Sequence, residues 1–257
     1  MPSRRGYPCR VPIPADTRIA FLDLDRTLLD DRRRQSSVDG AVTSVANRLG
    51  FDPEAAIVEL GGFWKEHASP ELYQAWIRGS VGGRNLLREV WTSTLAAHDI
   101  HDPAEIDAAV AAHQAADEAG WMLYDDVLPF FDAMDAAGIA MGIITNGHPD
   151  LQLRKIEVLE LAPRMASITV SGEHAIPKPE AELFDRAFDS MGLGRVPAVH
   201  VGDSLEADVQ GALNSGIGAI WLDRDGVRDG DALPDATIHS LAELPALLTA
   251  ERAAARG

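Results

Sequence analysis

The chain moves between short, continuously apolar runs and longer stretches in which apolar residues recur every three or four positions. Runs at 19–24, 139–145, 166–171, 198–202 and 219–222 are apolar at successive positions. Parallel strands covered by helices on both faces have this pattern. Helical periodicity fills the spaces between the last four. The stretch 150–161 carries Leu151, Leu153, Ile156, Leu159 and Leu161, and 179–191 opens on a proline and carries Leu183, Phe184, Ala187 and Phe188. Proline is tolerated in a first helical turn because that N–H has no intrahelical partner. The stretch 205–215 stops at Gly216, a C-cap residue. A short strand at 237–239 and a helix over 241–255 complete the pattern. Strands alternating with helices predict right-handed βαβ units: an α/β fold with a Rossmann-like, doubly wound parallel sheet.

The interval between the first and second strands, from about residue 30 to 138, is far longer than an ordinary crossover. Amphipathic segments at 38–49, 53–67, 72–77, 84–98 and 103–119 fill it, together with Trp64, Trp76, Trp91 and Trp121. This predicts an inserted α-helical cap with its own core over 31–124. The α/β core is expected at 17–30 and 125–257, with 126–137 as the helix that re-enters it and hinges near 28–38 and 119–127. Residues 1–16, with three arginines among prolines, read as a loose arm without the apolar stretch of a secretion signal.

Hydrophobic residues make up 46% of the 257, enough for an ordinary core. No apolar run approaches the ~18–20 residues that cross a bilayer. Cys9 is the single cysteine, which excludes an internal disulfide and suits a reducing cytoplasm, the expected location. The net charge of −17 argues against nucleic acid and against an anionic membrane surface as partners. Most of that acid is accounted for by solubility. A few acids converging on a cation is a second use of it.

Four polar clusters fall at predicted strand ends, where open α/β sheets bind ligands. Asp23-Leu24-Asp25-Arg26-Thr27 closes the first strand with two carboxylates. Thr145-Asn146-Gly147 closes the second with a hydroxyl and an amide suited to an oxyanion. Lys178 stands between Pro177 and Pro179 after the third, on a stiffened backbone that suits a phosphate clamp. Gly202-Asp203-Ser204 closes the fourth, and Asp208 follows within the next helix; the two acids can offer oxygen to a hard cation. Singly, each also reads as an ordinary cap, turn or surface side chain. Together they put paired carboxylates, an oxyanion holder, a cation and a metal site along one crevice.

Asp23-Leu24-Asp25-Arg26-Thr27-Leu28, Ile144-Thr145-Asn146-Gly147, Pro177-Lys178-Pro179-Glu180 and Gly202-Asp203-Ser204-Leu205-Glu206-Ala207-Asp208 resemble the haloacid dehalogenase-like (HAD) superfamily, in the phosphatase branch with a helical cap after the first strand. The resemblance spans about residues 17–223, and the run from Thr145 to Phe184 looks most like the nucleotidase and acylneuraminate-phosphate phosphatase group. It implies hydrolysis of a small phosphorylated metabolite, such as a nucleoside monophosphate or sugar phosphate. Asp23 would be the nucleophile and form an aspartyl phosphate. Asp25 would serve as acid and then base, and Thr145, Asn146 and Lys178 would hold the phosphate. Mg2+ would bind Asp23, Asp25 through its backbone carbonyl, and Asp203, while Asp208 would orient Lys178 or a metal-bound water. A carboxylate at Asp25 disfavours dehalogenation, which has no alcohol to protonate. Lys65, the one lysine of the insert, reads as solvated rather than as a phosphonatase Schiff-base residue. A phosphomutase on the same scaffold and a non-enzymatic binding module remain alternatives.

Arg26 stands where relatives often carry glycine or asparagine, and it reads as an outward linker side chain or a contact to a second substrate anion. Arg32-Arg33-Arg34 reads as a solvated charge run at the hinge. His148, Arg84 and the insert tryptophans are either pocket-lining or core. The histidines show no zinc-ligand spacing. Nothing in the pattern indicates an oligomeric state.

Overall fold

The computed structural model describes residues 13–67 and 69–254, with side chains at 63–67 and 252–254 left aside. Most of the predicted arm, and the side chains of Trp64 and Lys65, therefore lie outside the described residues. The chain enters through β1 (Ile19–Leu22), then β2 (Leu29–Asp30). Five helices follow: α1 (Arg34–Leu49), α2 (Pro53–His67), α3 (Pro70–Ile77), α4 (Gly83–Ala96) and α5 (Pro103–Gly120). After β3 (Met122–Leu123) come α6 (Val127–Ala136), β4 (Ala140–Thr145), α7 (Pro149–Val158), β5 (Ser167–Val170), α8 (Ser171–His174) and α9 (Ala181–Met191). β6 (Ala198–Gly202) leads through a π-helical turn, Leu205–Val209, into α10 (Gln210–Ser215). β7 (Gly218–Leu222), β8 (Ala236–Ile238) and α11 (Leu244–Ala254) end the described chain. No described helix is long and apolar enough to cross a membrane.

Six strands form a parallel sheet in the order β5-β4-β1-β6-β7-β8. Successive strand residues face opposite sides, so Ala20 and Leu22 of β1 join one core with Phe130, Phe131 and Met134 of α6, while Ile19 and Phe21 join a second with Leu183, Phe184 and Phe188 of α9. Burial on both faces explains the unbroken apolar runs. The order also puts β1 in the middle, with the chain passing first to β4 and β5 and then back across to β6. That reversal opens a crevice beyond the carboxyl ends of β1, β4 and β6.

The five helices between β2 and β3 pack around a third core, with Val42, Ala46, Val90, Trp91 and Val110 buried together. Trp91 is fully buried and Trp121 nearly so, whereas Trp76 is half-buried. The entry and exit of this block pair as a two-strand antiparallel ribbon, Leu29 opposite Leu123 and Asp30 opposite Met122. The short strands were not readable as such, because two residues carry no periodicity. Observed element ends differ from the sequence reading by a few residues. The helix expected from 205 begins as a π-turn, and Ser171 starts α8 instead of ending β5.

Candidate active site

β1, β4 and β6 deliver Asp23, Thr145 and Gly202-Asp203 to one end of the sheet, and the loop before α9 brings Lys178 over it. Lys178 Nζ lies 2.6 Å from Asp23 Oδ1, 2.7 Å from Asp208 Oδ1 and 2.9 Å from the Ile144 carbonyl. The ammonium thus uses its three donors on three acceptors with almost no exposure to water. One oxygen each of Asp23, Asp203 and Asp208 lie within 4.8 Å of one another.

Asp208 is held from all sides. His200 Nε2 is 2.9 Å from its Oδ1, and the Ser204 N–H donates to its Oδ2 at 3.0 Å. Burial pushes the His200 imidazole below its usual range against the pull of Asp208, so the neutral ring donates. Burial opposes ionisation of Asp208, yet Lys178 and His200 outweigh it and hold the carboxyl well below the usual carboxylate range. Lys178 is pushed up by Asp208 and Asp23 although burial works the other way.

Asp23 and Asp203 are short of positive charge. Burial raises Asp23 well above the carboxylate range, with Asp208, Asp203 and Asp25 adding to it against Lys178. Burial and the neighbouring Asp208 push Asp203 up to about 7, against Arg26 and Lys178. Arg26, with φ of 60°, points Nη1 to Asp203 at 3.4 Å and Nη2 to Asp225 at 3.3 Å. Its guanidinium is thus engaged by two carboxylates, while the side chain stays 43% exposed. Four carboxylates here face Lys178, Lys155 and Arg26. Oxygen donors with a surplus of buried negative charge fit a hard divalent cation such as magnesium.

Asp25 turns away from this triad towards α7. Lys155 Nζ is 2.6 Å from its Oδ1, and Gln152 Nε2 is 2.8 Å from its Oδ2. Burial would raise Asp25, but Lys155 and Gln152 prevail and its carboxyl is lowered. Gln152 Nε2 also donates to Thr145 Oγ1 at 2.7 Å, which leaves the hydroxyl proton free for another acceptor. Asn146 spends its amide on the Lys178 loop, accepting from the Lys178 N–H at 2.8 Å and donating to the Lys178 carbonyl at 3.1 Å.

The sequence reading missed Gln152, Lys155 and His200. Gln152 and Lys155 are three apart, and so share a helix face, but polar residues on an otherwise amphipathic helix read as solvated. A histidine inside the apolar run Ala198–Gly202 was the available sign for His200. His148 caps α7 and meets Asp150 at 2.7 Å. Of the hinge arginines, Arg32 pairs with Asp30 and Arg34 with Asp117. Arg84 is exposed and lines a cavity of about 630 Å³ between α3, α4, α5 and α7, along with Tyr73, Trp76, Leu87 and Leu151.

A parallel α/β sheet that gathers carboxylates around the buried Lys178, with a block of helices inserted after its first strand, defines a class of hydrolases. A family model described as haloacid dehalogenase-like hydrolase matches residues 17–216, and the chain belongs to that family. The phosphoserine phosphatase of Thermus thermophilus is 31% identical over 241 residues, covering 89% of this chain and 94% of that protein. The human N-acylneuraminate-9-phosphatase is 25% identical over 244 residues, covering 90% and 93%. The crystal structure of a 2-haloacid dehalogenase from Pseudomonas syringae pv. Tomato superposes with a TM-score of 0.66 at 26% identity, covering 91% of this chain and 99% of that one. Within the family, the chain is a hydrolase of phosphoric monoesters.

Proposed function

We propose that this enzyme is a magnesium-dependent phosphatase that hydrolyses a small phosphate monoester, a sugar phosphate or nucleoside monophosphate, through an aspartyl-phosphate intermediate on Asp23. The observation that carries the reading is the buried ammonium of Lys178 lying against both Asp23 and Asp208, with Asp203 beside them. Residues 17–30 and 125–257 serve as the catalytic core and 31–124 as the cap.

Lys178 takes Oδ1 of Asp23 and leaves Oδ2 to attack phosphorus in line with the ester oxygen. Asp25 is ionised in the free enzyme; a substrate bound as the monoanion gives it a proton, and as the phosphorus–ester bond breaks Asp25 passes that proton to the departing alcohol. Water then attacks the aspartyl phosphate and gives its proton to Asp25, and the Asp23–phosphorus bond breaks to release phosphate. Thr145 donates its free hydroxyl proton to a phosphoryl oxygen. Asn146 acts on the phosphate through Lys178, whose loop its amide fixes. Asp208, with its oxygens committed to Lys178, His200 and Ser204, keeps that ammonium in place. Asp23 and Asp203, with the Asp25 carbonyl, would hold Mg2+. The bound ion neutralises the repulsion between a carboxylate and a phosphate dianion.

The cavity of about 630 Å³ between the inserted helices and α7 is of the size that takes a sugar or nucleoside, although none of Asp23, Asp25, Thr145, Lys178 and Asp203 lines it. Its Trp76 ring comes within 3.0 Å of the place a Cβ on Gly147 would occupy, beside the strand end that carries Thr145. The carboxylate at Asp25 supports ester over carbon–halogen cleavage. The test is phosphate release from p-nitrophenyl phosphate and a panel of sugar phosphates and nucleotides, with and without Mg2+. Activity should need Mg2+ and vanish in Asp23→Asn. A D23N enzyme as fast as wild type removes Asp23 as nucleophile.

A further inference from the structure

The most tightly built polar network outside the acid triad joins Asp25, Thr145, Gln152 and Lys155. Lys155 Nζ reaches Asp25 Oδ1 at 2.6 Å and Gln152 Oε1 at 2.9 Å. Gln152 Nε2 reaches Asp25 Oδ2 at 2.8 Å and Thr145 Oγ1 at 2.7 Å. Gln152 is fully buried and Lys155 is 8% exposed. Taking an ammonium and an amide out of water costs several kcal/mol unless both are paired. Here both are committed to one carboxylate, that of Asp25. Each Asp25 oxygen has its own donor, and the two donors are bonded to each other. The carboxylate can therefore neither rotate nor swing without breaking two charge-assisted or buried hydrogen bonds.

We infer that Gln152 and Lys155 are positioning residues that set Asp25 for proton transfer to a poorly leaving alkoxide, and that α7 thereby makes the enzyme an alkyl-ester phosphatase. The inference rests on the reading of Asp25 as the acid. Because Gln152 also holds Thr145, one helix fixes the phosphoryl oxygens and the proton donor relative to each other. A near-attack geometry of this kind is lost with displacements of about 1 Å.

The experiment uses kcat/KM, which reports the first chemical step up to loss of the alcohol. The probes are p-nitrophenyl phosphate, whose phenolate departs without a proton, and glucose 6-phosphate or whichever alkyl monoester wild type cleaves fastest. In Lys155→Met and Gln152→Met, the ratio of the alkyl to the aryl value should fall about 100-fold, the lower range for general acid catalysis; Gln152→Met should in addition lower both values together, because it frees Thr145. The ratio comes from one preparation, so misfolded enzyme cancels from it. If one variant gives no soluble protein, the other reads the same ratio. Asp25→Asn should shift the ratio as far, and K155M on D25N should shift it no further. An unchanged ratio in both methionine variants, with D25N shifted, overturns the inference alone. An unchanged ratio in D25N, or a wild type that cleaves no alkyl ester, overturns the role of Asp25 and the inference with it.

Discussion

A methyl group on Gly202 would fall 2.2 Å from the Asp208 carboxylate. Gly202 ends β6, and the chain folds Asp208 back over it within the π-turn, so the strand must end in a residue without a Cβ. Gly202→Ala should displace Asp208 from Lys178. Denaturant unfolding should show a loss of about 1–3 kcal/mol, the usual cost of overpacking. Phosphate release should fall much further than the folded fraction does.

Lys178 is the counter-charge for two buried acids. Lys178→Met should abolish turnover and destabilise by about 3–5 kcal/mol, as expected when one member of a buried ion pair is removed. Lys178→Arg should not restore turnover. Three acceptors converge on a point ammonium there, and a planar fork does not match them. Recovery in K178R to near wild-type rates would contradict this account.

Magnesium should stabilise the folded protein, because the acid triad exists only there. Binding at one hundred times Kd adds about 2.7 kcal/mol, so melting temperature should climb with Mg2+ concentration and return on chelation. Asp203→Asn should fold and lose most of that response. A D203N protein with an undiminished response would place the ion elsewhere.

His113 in the cap gives a pH dependence independent of the active site. It is 4% exposed, and burial lowers its imidazole, with Asp117 pulling upward and Arg34 adding to the lowering. The folded protein thus keeps His113 neutral where the unfolded chain, near pH 6.5, begins to take a proton. The unfolded state binds more protons there, so stability falls as pH drops from about 6.5 towards the folded pKa. His113→Gln should flatten that part of the melting-temperature profile between pH 7.5 and 5.5. An unaltered slope would assign the effect to other groups.

The parallel sheet and the strand-end acids could be read from sequence because their signals are local. Ile19–Leu22 is apolar without interruption since both its faces are covered, and Asp23 follows directly. Lys178 was readable from its flanking prolines. What escaped depends on partners distant in sequence. Lys155 finds Asp25 across 130 positions. Arg224 pairs with Asp126 at 2.9 Å, donates to the Thr27 carbonyl and lies over the Tyr124 ring. None of these pairs has a spacing that a one-dimensional pattern can carry. Asn146 was matched to the phosphate by residue type, and only its surroundings show the amide engaged with the Lys178 backbone.

The two-residue ribbon of β2 and β3 has a bearing on how such enzymes diversify. Asp30 and Met122 face each other across one strand spacing, about 4.8 Å, although ninety-one residues separate them in the chain. A tight turn would be enough to rejoin those ends, and the other links between the block and the sheet domain are side-chain contacts such as Arg78 with Glu180 and Arg154 with Glu118. Blocks of different length and shape can be exchanged at this seam, altering which esters are admitted while the chemistry beneath is inherited intact.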